Sequence, residues 1–184
     1  MYFEILSNFN NQLKVRTEKS DKQMVNWMTN DDINEISKDL KSKIVKRVRN
    51  KEDYNELLNY VVLSLYTLHP PRRNVDYSLM KISNNMIDDK YNYLDMKKGE
   101  FVFNNYKTQG KYNQVVVPIE DDLMKVIELY LNNHPEKSKL KNKNCDVHFL
   151  KSFYNESIEK SQEITRILNK TFGKNIGTFF YLHL

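Results

Sequence analysis

The feature that most constrains this chain is the run from Leu57 to Leu68, LLNYVVLSLYTL, which is apolar around most of a helical circumference and is followed at once by Pro70 and Pro71. A helix apolar on nearly every side has no face to give to water, so it belongs in the middle of a core with other elements wrapped around it. Two prolines stop it, because proline lacks the amide donor and restricts the residue before it. Arg72 and Arg73 then stand at the end of the central helix.

The flanking segments supply the wrapping. Thr29 with Asp32 three residues later makes a capping-box-like start, and Ile33, Ile36, Leu40, Ile44 and Val48 repeat at helical spacing. This predicts a first helix running from about residue 29 to 48 and ending in the cations of KRVRN, with the buried helix starting near Asp53. Beyond the arginines, Val75, Tyr77, Leu79, Met80 and Ile82 suggest a short helix packing back on the core. YNYLDM, EFVFNNYK and QVVVPI then read as three strands separated by KKGE and TQGKYN, each with one glycine, which predicts a three-stranded antiparallel sheet. The helical period returns in DDLMKVIELYLNN; residues 134–144 read as a loop, and 149–175 as a further helix closed by Gly173. The fold class expected is α+β and mainly α-helical, with residues 1–25 as an arm or linker and 26–184 as the domain.

Composition excludes several classes of function. The chain has 184 residues, 40% apolar and 29% charged, which suits one globular domain. Cys145 is the only cysteine, so neither an internal disulfide nor a cysteine-based metal site can form within the chain, and His69 and His148 have no acidic or histidine partner at ligand spacing. Structural or surface roles are expected for both, with no metal and no cofactor. No apolar run reaches bilayer length and no leader pattern opens the chain, so a soluble intracellular protein that does not engage a membrane is expected. A formal charge of +5 favours a polyanionic partner modestly, or marks a solvated lysine-rich surface.

Arg73, Lys107 and His183 are the candidate catalytic residues if that partner is nucleic acid. An arginine fork matches two phosphate oxygens, a lysine is a compact cation that can donate a proton, and a histidine completes a set able to stabilise phosphoryl transfer. The order of these features resembles the catalytic domain of tyrosine recombinases, the phage-integrase superfamily. NWMTNDDINEI followed by LYTLHPPRRNVDYSLMKI is similar to integrase-type recombinases of large DNA viruses and mobile elements. Arg73, Asp76, Tyr77, Met80 and Ile82 reproduce the spacing of the family's arginine box, and NYKTQGKYNQVVVPI its hairpin-lysine segment.

The resemblance implies Arg73 on the scissile phosphate of double-stranded DNA and Lys107 as general acid on the leaving oxygen. Arg72 and Lys111 are the further DNA contacts expected, on a homo-oligomer or with a completing subunit, in the host nucleus or cytoplasm if the source is viral. It also implies departures. Aligning Ile176 and Gly177 with the family's IGxxxLRH places Leu182 where the second catalytic arginine belongs and His183 at the following histidine; no downstream tyrosine nucleophile follows, and Tyr181 precedes that position. The chain as written is expected to bind DNA for recombination or integration without cleaving it alone. The other readings are a non-enzymatic accessory DNA- or protein-binding protein that keeps the fold, and an unrelated α+β interaction domain in which PPRR is only a turn.

Overall fold

The computed structural model describes residues 24–83, 88–108, 110, 113–142 and 145–175. The first helix, α1 (Asn30–Lys43), begins on the expected cap: the Asp32 N–H donates to the Thr29 hydroxyl at 3.1 Å, and the Thr29 N–H donates back to the Asp32 carboxylate at 2.7 Å. It ends earlier than the periodicity predicts, because residues 44–49 find backbone partners elsewhere. The Val48 N–H donates to Asn133 Oδ1 at 3.1 Å and Asn133 Nδ2 donates to the Lys46 carbonyl at 3.4 Å. The cations of KRVRN therefore lie on a loop, not on a helix C-terminus.

Asn50 caps α2 (Lys51–Thr67), accepting the Asp53 N–H at 2.8 Å. This is the apolar run, and Val61, Val62 and Leu63 have no exposed surface at all. After the prolines comes α3 (Asn74–Ser78), shorter than the predicted helix. Met80 and Ile82 do not continue it; they enter strand β1 (Met80–Ser83), which pairs in parallel with β2 (Asn92–Asp95). Over so few residues an alternating apolar pattern fits either state, and strand pairing on both sides decides it.

The remaining strands are β3 (Glu100–Phe103), β4 (Val115–Pro118) and β5 (Asp146–His148), with helices α4 (Asp121–Asn132), α5 (Lys137–Leu140) and α6 (Ser161–Phe172). The three predicted strands are β2, β3 and β4, and they pair antiparallel as expected. They are, however, part of a five-stranded mixed sheet in the order β4-β3-β2-β1-β5, with β5 antiparallel to β1. The three-stranded expectation is corrected accordingly. So is the long helix over 149–175, which is helical only as α6; its C-cap is Gly173, whose φ of 63° suits glycine. Gly99 does the same service between β2 and β3, with φ 68°.

Helices α1, α4 and α6 all pack on α2. The sheet adds Phe101 and Phe103, which meet Tyr77 at ring-centroid distances of 6.1 and 6.4 Å. The Tyr77 hydroxyl donates to the Leu65 carbonyl at 3.0 Å, so α3 is tied to α2 at a polar point inside an apolar core.

Candidate functional site

Arg73 is the N-cap residue of α3, in extended conformation. Its carbonyl accepts the Asp76 N–H at 2.9 Å, and its guanidinium donates to Asp76 Oδ1 at 2.6 Å. The R-x-x-D spacing thus closes one short helical turn on itself. Asp76 is buried, whereas the Arg73 side chain keeps 34% of its surface exposed. A guanidinium has five N–H donors, so those not turned to Asp76 remain for an outside oxyanion. Asn74 is buried between them and locks the turn to two helices: Tyr66 donates to its Oδ1 at 2.6 Å, and its Nδ2 donates to the Thr165 hydroxyl at 2.9 Å.

Burial pushes the Asp76 carboxyl above the ordinary carboxylate range, against the opposing pull of the Arg73 bond and the Arg73 and Arg72 charges. The folded state therefore holds this proton more tightly than the unfolded chain does. Its contribution to stability is fullest below about pH 4 and declines as pH rises through the shifted value. Asp76→Asn, which keeps an oxygen facing Arg73, is expected to be no less stable than the native chain at neutral pH, and to lose any advantage as pH falls. Thermal unfolding against pH measures this; a clear drop in Tm at neutral pH would contradict it.

Arg72 takes a different position. Its guanidinium carbon lies 3.8 Å from the centroid of the Phe103 ring, a cation–π arrangement that occupies the face of the group and leaves its edges to donate. His69 is buried and meets Phe101 edge-on at 5.3 Å, with neither ring nitrogen bonded to a protein group. Burial, and next the Arg72 charge, push its pKa down, so it stands neutral beside the arginines. His148 has Glu159 3.3 Å from its Nε2, an acidic neighbour that is not at a metal-ligand spacing in the sequence.

Asn92 connects this turn to the hairpin. It has no exposed surface, and its amide makes four bonds. Nδ2 donates to the Asp76 carbonyl at 2.7 Å and to the Asn105 carbonyl at 3.1 Å, while Oδ1 accepts the N–H groups of Asn104 at 2.9 Å and Asn105 at 2.8 Å. Every donor and both acceptor positions of the side chain are used. Asn104 continues the network, accepting Gln114 Nε2 at 2.7 Å across the base of the β3–β4 hairpin, and Tyr106 donates to the Asn113 carbonyl at 2.7 Å.

Lys107 follows two residues after Asn105 and is exposed. Arg72, Arg73 and the root of the Lys107 hairpin are therefore neighbours through Phe103 and Asn92. Lys111 and His183, the other two candidates, lie outside the described residues, as does Tyr181. Sequence reasoning missed Asn92, Asn104 and Asn105. Their one signal is an asparagine at the start of an apolar strand and an Asn-Asn pair at the end of another, and the many other asparagines of the chain dilute it.

Among the described residues no group of three or more His, Cys, Asp or Glu side chains could hold a metal ion, and no helix is long and apolar enough to cross a membrane. Cys145 is buried with its thiol toward the Ile82 carbonyl at 3.3 Å, and burial pushes its pKa up. Comparison with protein-family models, with curated proteins and with solved structures finds no match to this chain.

Proposed function

We propose that this chain is a tyrosine-recombinase-like protein that binds duplex DNA, with Arg73 on a backbone phosphate and Lys107 reaching the same phosphate region from the hairpin. The observation that supports this most is the Asn92 bridge, which joins the arginine turn to the residues leading into Lys107. The bridge brings the two distant segments together, as a shared phosphate region requires. The partly exposed guanidinium of Arg73, steadied by a buried carboxylate, has the geometry of a fixed phosphate donor.

Substituting Arg73 or Lys107 by alanine is expected to weaken duplex binding by about ten- to a hundredfold each, since one charge-assisted hydrogen bond contributes about 1.5–3 kcal/mol. The dependence of log K on log salt should become shallower by about one phosphate contact for each. Unchanged affinity and slope in both variants would remove the basis for this assignment.

A non-enzymatic DNA-binding role is the second reading, favoured by one residue: Leu182 stands where the family's second arginine aligns. A leucine there cannot share phosphate charge in a transition state. The 184-residue chain is accordingly expected to give no covalent adduct with a nicked suicide duplex, and a trapped adduct would exclude this second reading.

A further inference from the structure

At the other end of α2 from Arg73 lies a corner with a different chemistry. The 17 residues of α2 separate the two ends by about 25 Å at 1.5 Å per residue. Phe153 and Tyr154 are exposed there, 38% and 65%, whereas most aromatic rings among the described residues are buried. They meet each other at 5.5 Å, Phe153 rests on Tyr54 at 5.9 Å, and the Lys51 ammonium lies 4.8 Å from the centroid of the Tyr154 ring.

The turn that carries these rings is tightly built. The Ser152 N–H donates to the Glu156 carbonyl at 2.8 Å, the Asn155 N–H donates to the Ser152 carbonyl at 3.0 Å, and Asn155 takes a left-handed φ of 68°. Beneath it, the buried Lys151 donates to the Asn155 carbonyl at 3.2 Å and pairs with Glu136 at 2.6 Å. Glu136 also receives Lys139, which joins the aromatic turn to the lysine run that begins at Lys137. The loop of Lys46, Arg47 and Arg49 is held to the same corner by the Asn133 bonds.

Lys46, Arg47, Arg49, Lys51, Lys137 and Lys141 are all exposed, and among the described residues none of them forms an ion pair. Lys51 is also the first residue of its helix, where the dipole disfavours a cation, so helix stability does not account for it. Of the carboxylates in these segments, Glu136 is neutralised by two lysines and Asp53 accepts the Arg49 N–H at 3.0 Å; Glu52 and Glu156 remain at the rim.

We propose that this corner is a second nucleic-acid site, which takes unpaired bases: Tyr154 stacks on a base of a single strand while the surrounding cations follow its phosphates. Exposed rings interleaved with cations are what a strand with splayed bases requires, because every base has a π-face and every nucleotide a charge. A preformed turn lowers the entropy lost on binding. A duplex offers no free base face to these rings, which separates this site from the one at Arg73, and it does not depend on that assignment.

The test uses the full chain with a labelled mixed-sequence DNA single strand, read by fluorescence anisotropy. Tyr154→Ala is expected to weaken binding on the order of tenfold, in line with about 1–3 kcal/mol per stacked base, while Tyr154→Phe, which keeps the ring, stays close to native. Arg47→Ala and Arg49→Ala should each make the salt dependence shallower by about one contact. Native-like binding by Tyr154→Ala would overturn the proposal. So would Tyr154-dependent binding to vesicles containing phosphatidylserine with none to the single strand, which would make the corner a membrane surface.

Discussion

Asn92→Leu is expected to lose about 4 kcal/mol of stability. Leucine has the branching of asparagine and is no smaller, so no cavity explains such a loss. The loss comes from four backbone groups that lose their partner, the buried Asp76 carbonyl and Asn104 N–H and the partly buried carbonyl and N–H of Asn105. A buried polar group left unpaired costs about 1–3 kcal/mol, and the total falls short of the sum because the loop can relax toward solvent. Asn92→Asp refines the test. It keeps two acceptors but sets a carboxylate against two carbonyls, so it should be destabilised at neutral pH and partly recover in acid, where a protonated carboxyl can donate once. Denaturant unfolding measures both, and a loss below about 1 kcal/mol for the leucine variant would show that the bridge is dispensable.

Glu136→Gln is expected to cost about 3–5 kcal/mol, because it leaves the Lys151 ammonium, only 8% exposed, without a counter-charge. The double replacement Glu136→Leu with Lys151→Met should cost far less, since neither charge then remains to be solvated. Burial works against the Glu136 charge, but the bonds from Lys139 and Lys151 outweigh it and hold the carboxyl below its ordinary range. Stability from this group is present above about pH 4.3, the ordinary glutamate value, and is lost as pH falls through the depressed one. That is opposite in sign to Asp76. Acid should therefore loosen the Glu136 corner while it relieves the arginine turn, and hydrogen exchange at the two ends of α2 should separate the two responses. If Glu136→Gln unfolds at the native denaturant midpoint, the Glu136–Lys151 pair is not what holds this corner.

Much of this was legible in the residues. The capping box at Thr29, the stop at Pro70, the apolar circumference of α2 and the glycines at 99 and 173 are local signals, decided by a few neighbouring side chains and by backbone geometry. The Arg73–Asp76 spacing is local as well, because a helical turn brings residues three apart together. The misreadings arose where the partner is distant. Residues 44–48 leave the helix for Asn133; Met80 and Ile82 become strand because β2 and β5 flank them; and the segment that yields β5 shows no strong strand period of its own.

Local residues alone dictate that a helix apolar around most of its circumference lies at the centre, that it stops at two prolines, and that an arginine with an aspartate three residues on follows it. Only the tertiary structure decided that the arginine turn meets the Lys107 hairpin, because their link is one buried asparagine among many, and an amide's value depends on which four groups surround it. It also decided that Tyr154, Lys51 and the lysine run share a corner at the far end of the same helix. Those residues lie far apart in sequence, and their meeting rests on a buried ion pair and on the Asn133 bonds, which no local spacing encodes.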